Sequence, residues 1–164
     1  MSDIKVIDNL LDKDVFTNLQ SFILGDNFAW HFNSFIDYRD EKKGKFQFTH
    51  NFYRDNYPHS AHYDVINPIL DTLDFFAIVR IKANLLTRTP KIVVNGYHVD
   101  HIYQKNWNTS IFYVNTNNGY TEFKDGTIIN SVANRLITFP SDMKHRGTSC
   151  TDEKTRVVIN FNWM

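Results

Sequence analysis

Ile78-Val79-Arg80-Ile81-Lys82-Ala83-Asn84-Leu85-Leu86 is the stretch on which the fold turns. Val79, Ile81, Ala83 and Leu85 alternate with Arg80, Lys82 and Asn84, and a period of two is the repeat of a strand with unlike faces. Downstream the strand character persists, giving expected strands at 78–86, 91–98, 109–115, 119–123, 127–130, 135–139 and 155–162. Turn-rich stretches such as Asn115-Thr116-Asn117-Asn118-Gly119 separate them. Upstream the period is helical: Leu11, Val15, Phe16, Leu19, Phe22 and Ile23, with Asp12 and Asp14 at the start and Gly25 at the end, predict a helix over 12–24. Ile66, Ile69, Leu70, Leu73 and Phe76 predict a second over 64–75, with Pro68 in its first turn. Between them Phe46, Phe48 and Phe52 alternate with polar residues after Lys42-Lys43-Gly44-Lys45, which predicts a hairpin and a flexible wall over 38–60. Helices followed by many short strands give an α+β, mainly β chain: a single domain over 1–164, in which 1–76 supports a β-sandwich or jelly-roll core over 77–164.

Bulk properties narrow the chemistry. The chain has 164 residues, 42% of them hydrophobic and 22% charged, and no run approaches the roughly 18 apolar residues of a membrane span. The start Met1-Ser2-Asp3-Ile4-Lys5 leads into no apolar region of the signal-peptide kind, so the expected location is cytoplasmic. Eighteen Lys plus Arg balance eighteen Asp plus Glu, without the basic surplus that phosphate backbones demand, so neither nucleic acid nor membrane is an expected partner. Cys150 is the single cysteine, which excludes an intramolecular disulfide and a thiolate-rich zinc site; a metal would need His and carboxylate ligands.

Such ligands occur in order. His98-Val99-Asp100 ends an expected strand, where residues i and i+2 share a face; His145 follows forty-five residues after Asp100 (145 minus 100), and Arg156 eleven after His145 (156 minus 145). Two imidazoles and one carboxylate on a triangular face leave three coordination positions open, the arrangement of non-haem iron(II) oxygenases. Arg156 opens the apolar strand Arg156-Val157-Val158-Ile159-Asn160-Phe161, where a guanidinium pairs with a carboxylate in bidentate fashion. A second H-x-D, His62-Tyr63-Asp64, leads into a helical segment that swings its side chains apart, and His31, His50, His59 and His101 lack a carboxylate in register.

Taken together, Gly96-Tyr97-His98-Val99-Asp100, Ile111-Phe112-Tyr113-Val114-Asn115, Gly119-Tyr120-Thr121-Glu122-Phe123, Leu136-Ile137-Thr138-Phe139-Pro140, His145 and Thr155-Arg156-Val157-Val158-Ile159-Asn160-Phe161 resemble the prolyl 4-hydroxylase-like branch of the iron(II) and 2-oxoglutarate dioxygenases. The resemblance covers roughly residues 78–163 and departs from the family where Tyr120 replaces the second glycine of a pair. It implies a double-stranded β-helix with iron(II) held by His98, Asp100 and His145. It further implies that Arg156 and Tyr113 bind 2-oxoglutarate, that O2 is consumed, and that ascorbate serves as reductant. The implied outcome is hydroxylation with release of succinate and CO2, and Asp100 argues against halogenation, which in this fold goes with loss of the carboxylate. The expected substrate is a prolyl residue in a peptide or protein; the alternatives are a free amino acid or other small molecule, or a non-catalytic jelly-roll binding module. Arg80, Tyr103 and Trp107 are weaker candidates for the pocket wall.

Overall fold

The computed structural model describes residues 4–36, 44–100 and 106–164. Eleven strands and two short α-helices are found among them. β1 (Lys5–Ile7), α1 (Lys13–Ile23), β2 (His31–Asn33), β3 (Gln47–Arg54) and β4 (Tyr57–Pro58) come first. A 3-10 turn (Tyr63–Ile66) then runs into α2 (Asn67–Leu70). The rest is β: β5 (Ile78–Thr87), β6 (Asn108–Tyr113), β7 (Tyr120–Phe123), β8 (Ile128–Asn130), β9 (Arg135–Pro140), β10 (His145–Gly147) and β11 (Thr155–Trp163). Two antiparallel sheets face each other as a jelly roll: a large one ordered β1-β9-β6-β11-β5-β3-β2, with β4 on β3, and a small one ordered β10-β7-β8.

β11 lies between β5 and β6 and carries the main division of the molecule. Val157, Ile159 and Phe161 point out of the roll and, with Ile81 and Ala83 of β5, meet Leu19 and Ile23 of α1 and Ile66, Ile69 and Leu70. Each such fully buried aliphatic side chain contributes roughly 1.5–3 kcal/mol. Between the sheets a second apolar cluster, Ile111, Tyr113, Phe123, Ile137, Phe139 and Val158, closes one end of the roll. The opposite face of β5, with Arg80, Lys82 and Asn84, lines a cavity of about 480 Å³. The polar half of the alternation that revealed the strand is therefore cavity floor.

Several sequence expectations need correction. No strand forms over 91–98: the segment makes two separate antiparallel bridges, Val94 to Thr148 and His98 to His145. Four residues on this side (98 minus 94) span three on the other (148 minus 145), so one residue is extra and the ladder bulges. The helix expected over 64–75 is a 3-10 turn and a single α turn, with Pro68 near its start as expected. The hairpin expected after Lys42-Lys43-Gly44-Lys45 has its second strand in β3, which pairs antiparallel with β2, while part of the connection lies outside the described residues; β3 also pairs with β5 from Phe48 to Tyr53 and makes a further tight turn at Asp55-Asn56, both left-handed, into β4. Part of the wall expected over 38–60 lies outside the described residues; Gln47, Thr49, Asn51 and Arg54 of β3 do line the cavity. No described helix is long and apolar enough to cross a membrane.

The N-terminal arm is pinned by one residue. Asn134, left-handed at φ 62°, donates from its side chain to Leu11 O at 2.8 Å and accepts from Leu11 N at 3.0 Å. Asn tolerates this backbone region better than Ala. Replacing Asn134 with Ala strands both buried Leu11 groups in a strained backbone, and denaturant titration should show a loss of about 2–3 kcal/mol. An unchanged midpoint would refute the clamp.

Candidate metal centre

His98 and His145 reach each other through the backbone. Each donates its N–H to the other's carbonyl, at 2.9 and 3.0 Å, which places the two rings 4.5 Å apart. His145 Nδ1 lies 3.0 Å from Met143 O and His98 Nδ1 lies 3.3 Å from Gly96 O. A carbonyl only accepts, so both Nδ1 atoms carry the proton and both Nε2 lone pairs are free for a ligand. Asp100 Oδ1 lies 3.8 Å from His98 Nε2 and 4.0 Å from His145 Nε2, and one ligand atom from each of the three residues falls within 4.8 Å of the others.

Asp100 is held for this position. Its Oδ2 accepts from Thr109 Oγ1 and Asn162 Nδ2, both at 2.9 Å, which leaves Oδ1 facing the histidines. Burial by itself raises the carboxyl pKa, but His145, Arg80, His98 and the Asn162 hydrogen bond outweigh it and hold the group at about 2. Burial also pushes the His145 pKa down, against the pull of Asp100. His145 Nε2 is buried without a hydrogen-bond partner. An orphaned buried lone pair beside a second imidazole nitrogen and a carboxylate oxygen fits a divalent cation, and the set of two nitrogens and one oxygen suits iron(II). His98, at 37% side-chain exposure against 3% and 4% for His145 and Asp100, marks the open side.

Arg156 lines the same cavity. It is buried, donates from Nε to Ser131 Oγ at 2.9 Å and from Nη2 to Thr121 Oγ1 at 3.2 Å, and has no carboxylate in ion-pair reach among the described residues. A buried guanidinium held only by hydroxyls calls for an anion. Glycines make room for it: a Cβ on Gly119 would meet Arg156 Cδ at 2.6 Å, and one on Gly147 would lie 3.3 Å from Nη1. Tyr113, buried on the same strand face as Ile111, is not among the cavity-lining residues. Its hydroxyl donates to Thr121 Oγ1 at 2.8 Å, and its ring centroid lies 5.8 Å from the guanidinium carbon. It thus reaches the cavity through Thr121 and Arg156.

The other candidates separate cleanly. Arg80 lines the cavity, donates from Nε to Asn162 Oδ1 at 3.1 Å and brings Nη2 to 4.0 Å from Asp100 Oδ1. Trp107 is not among the cavity-lining residues, whereas Val99, between His98 and Asp100, is. Tyr103 and His101 lie outside the described residues. His62 precedes the 3-10 turn and packs edge-on against Phe22, and the second H-x-D joins no metal-holding cluster among the described residues. His50 bonds Ala29 O and Ser60 Oγ and is structural.

Sequence reasoning missed Thr109 and Asn162, the clamp on Asp100. It also missed a strap of Tyr97, Glu122 and Arg146. Tyr97 donates its hydroxyl to Glu122 Oε1 at 2.7 Å, and Arg146 donates Nε and Nη2 to the same carboxylate at 2.9–3.0 Å while covering the Tyr97 ring at 4.2 Å. The strap ties the bulged segment to β7 and β10, one residue from each histidine.

No family profile and no curated protein matches the chain by sequence. Solved structures match it along nearly its whole length. A viral collagen prolyl hydroxylase from Paramecium bursaria Chlorella virus-1, in complex with 2-oxoglutarate, is 13% identical with a TM-score of 0.65, covering 98% of this chain and 94% of that one. A prolyl hydroxylase from Trichoplax adhaerens, bound to a peptide fragment of the hypoxia inducible factor oxygen degradation domain, is 11% identical with a TM-score of 0.69, covering 100% and 84%. The fold is that of the 2-oxoglutarate and iron(II) oxygenases. It also carries other outcomes: the α-ketoglutarate-dependent epimerase of nogalamycin biosynthesis is 8% identical with a TM-score of 0.70, covering 99% and 78%.

Two measurements test the centre. Anaerobic iron(II), at a hundredfold excess over its dissociation constant, should stabilise the protein by about 2.7 kcal/mol in thermal unfolding. Asp100→Ala should abolish that gain, and an equal rise in the variant would remove Asp100 from the ligand set. Glu122→Ala should fold and yet bind iron(II) roughly tenfold more weakly, because the strap positions both histidines; undiminished affinity would make the strap purely structural.

Proposed function

We propose that this chain is an iron(II)- and 2-oxoglutarate-dependent oxygenase that hydroxylates its substrate and releases succinate and CO2. The observation that carries the reading is one cavity holding both a three-residue nitrogen, nitrogen, oxygen cluster and a buried guanidinium without a counter-ion among the described residues. His98, Asp100 and His145 would hold the iron, and Arg156, steadied by Ser131 and Thr121, would take the distal carboxylate of 2-oxoglutarate. Bound together, metal and cosubstrate supply the oxidising chemistry. The residues of this chain orient and shield it: Thr109 and Asn162 fix the Asp100 carboxylate, backbone carbonyls fix both imidazoles, and the apolar cluster beneath the cavity excludes water from one side. Ascorbate would serve to return oxidised iron to its ferrous state.

For the substrate, the prolyl hydroxylases of the same fold support a prolyl residue in a peptide or protein. A second reading, a free amino acid or other small polar molecule, is favoured by the cavity floor, where Asn51, Arg80, Lys82, Asn84 and Asn160 present charge and amides in place of an apolar seat for a ring.

Succinate release from 2-oxoglutarate, with matching oxygen uptake, is the direct test. Asp100→Ala should abolish it. Arg156→Met should raise the KM for 2-oxoglutarate about 10- to 100-fold, the value of a charged hydrogen bond of about 1.5–3 kcal/mol. Full turnover in Asp100→Ala, or an unaltered KM in Arg156→Met, would overturn these assignments. Free proline compared with prolyl peptides as stimulants separates the two substrate readings.

A further inference from the structure

Among the described residues the cavity is lined by Arg54, Arg80, Lys82 and Arg156 against a single carboxylate, Asp100. On the oxygenase reading, iron(II) and doubly charged 2-oxoglutarate cancel one another on binding, so the positive surplus remains for something else. Arg156 faces the cosubstrate, and Arg54 has an exposed partner in Asp55 at 3.1 Å. Arg80 is tied to Asn162 and approaches Asp100. Lys82 differs from all three: it has no hydrogen bond from its ammonium and no ion pair among the described residues. Burial, then the repulsion of Arg80, push its pKa down to about 8 in spite of Asp100.

The floor around Lys82 is built for a polar guest. In register, Lys82 of β5 stands opposite Asn51 of β3 on one side and Asn160 of β11 on the other, and all three side chains line the cavity. The Asn160 amide makes no hydrogen bond among the described residues, and its Oδ1 is buried and orphaned. An amide offers donors and an acceptor, so it can be completed by a ligand hydroxyl, amine or acid oxygen. A cation without a counter-ion beside an unsatisfied amide is costly in an empty floor and favourable under an acid that also carries a hydrogen-bonding group.

We propose that Lys82, flanked by Asn160, binds a carboxylate or phosphate on a small polar substrate, so that the enzyme oxidises an anionic metabolite-sized molecule. The proposal rests on the oxygenase reading and names the substrate class for that site. Arg80, two residues away on the same face of β5, adds to the field and is itself held by Asn162.

Calorimetry on the anaerobic iron(II) protein tests both levels in order. 2-Oxoglutarate is titrated first; absence of binding overturns the oxygenase reading and this proposal with it. With 2-oxoglutarate saturating, free amino acids and sugar phosphates are each compared with their amides or dephosphorylated analogues, so the two arms distinguish carboxylate from phosphate. The expected result is an anion that binds at least tenfold more tightly than its neutral analogue. Lys82→Met should erase that preference while leaving 2-oxoglutarate affinity within twofold, and Lys82→Arg should retain most of it. Retained 2-oxoglutarate binding also certifies that each variant is folded. Equal affinity for charged and neutral ligands across the panel, a preference that survives Lys82→Met, or a loss of 2-oxoglutarate affinity in that variant overturns the anion subsite and leaves the oxygenase reading standing.

Discussion

A carboxylate withdrawn from water is the constraint around which the cavity is arranged. Asp100 has a side chain 4% exposed, and a buried charge without partners costs several kcal/mol. Its neighbours each answer part of that cost. Thr109 and Asn162 bond one oxygen, while Arg80 and the two imidazoles surround the other. Thr109 and Asn162 are register partners on β6 and β11, bonded to each other at 3.0 Å, so two adjacent strands of the large sheet present one polar clamp to a residue arriving on a loop. His145 comes from the opposite sheet. Asp100 therefore ties the two sheets at the mouth of the roll, and its place depends on the sheets pairing in one register only.

The bulge between Val94 and His98 follows from the same demand. A regular ladder against β10 would continue the alternation of side chains without interruption; one extra residue resets it just before the metal motif. The reset places His98 opposite His145 with reciprocal backbone bonds and leaves Asp100 to cross toward β6 and β11. Tyr97, Glu122 and Arg146 then tie the irregular segment to β7 and β10 through side-chain bonds that its broken ladder does not supply.

Much of this was legible in the sequence. The period-two alternation of Ile78–Leu86 identified β5, and the apolar run after Arg156 identified β11; the order His98, Asp100, His145, Arg156 pointed to residues that the fold brings to one cavity. Other parts were hidden for physical reasons. The stretch 91–98 has strand-like residues, but its ladder is broken by a bulge, which propensity does not register. Residues 64–75 carry a helical apolar pattern that the packing of Ile66, Ile69 and Leu70 satisfies in little more than two turns. Tertiary pairing alone reveals that β3 is an inner strand between β5 and β2. Asn160 and Asn162 did carry a signal: amides at alternate positions of an otherwise apolar strand mark the face turned toward a cavity.

That signal separates what the fold shares from what is particular to this chain. Hydroxylases and an epimerase use the same roll at 8–13% identity, so the reaction outcome and the substrate do not follow from the architecture. The His98, Asp100 and His145 cluster and Arg156 sit where the bulged segment, β10 and the start of β11 meet, and their geometry is constrained by register, by the Asp100 clamp, and by the space Gly119 and Gly147 leave. The middle of the floor lies apart from that meeting point. Asn51, Lys82 and Asn160 occupy one row across β3, β5 and β11, whose apolar packing lies on the other face with Phe52, Ile81, Ile159 and Phe161. A cation and two amides in that row turn polar groups, and no apolar seat, toward the cavity.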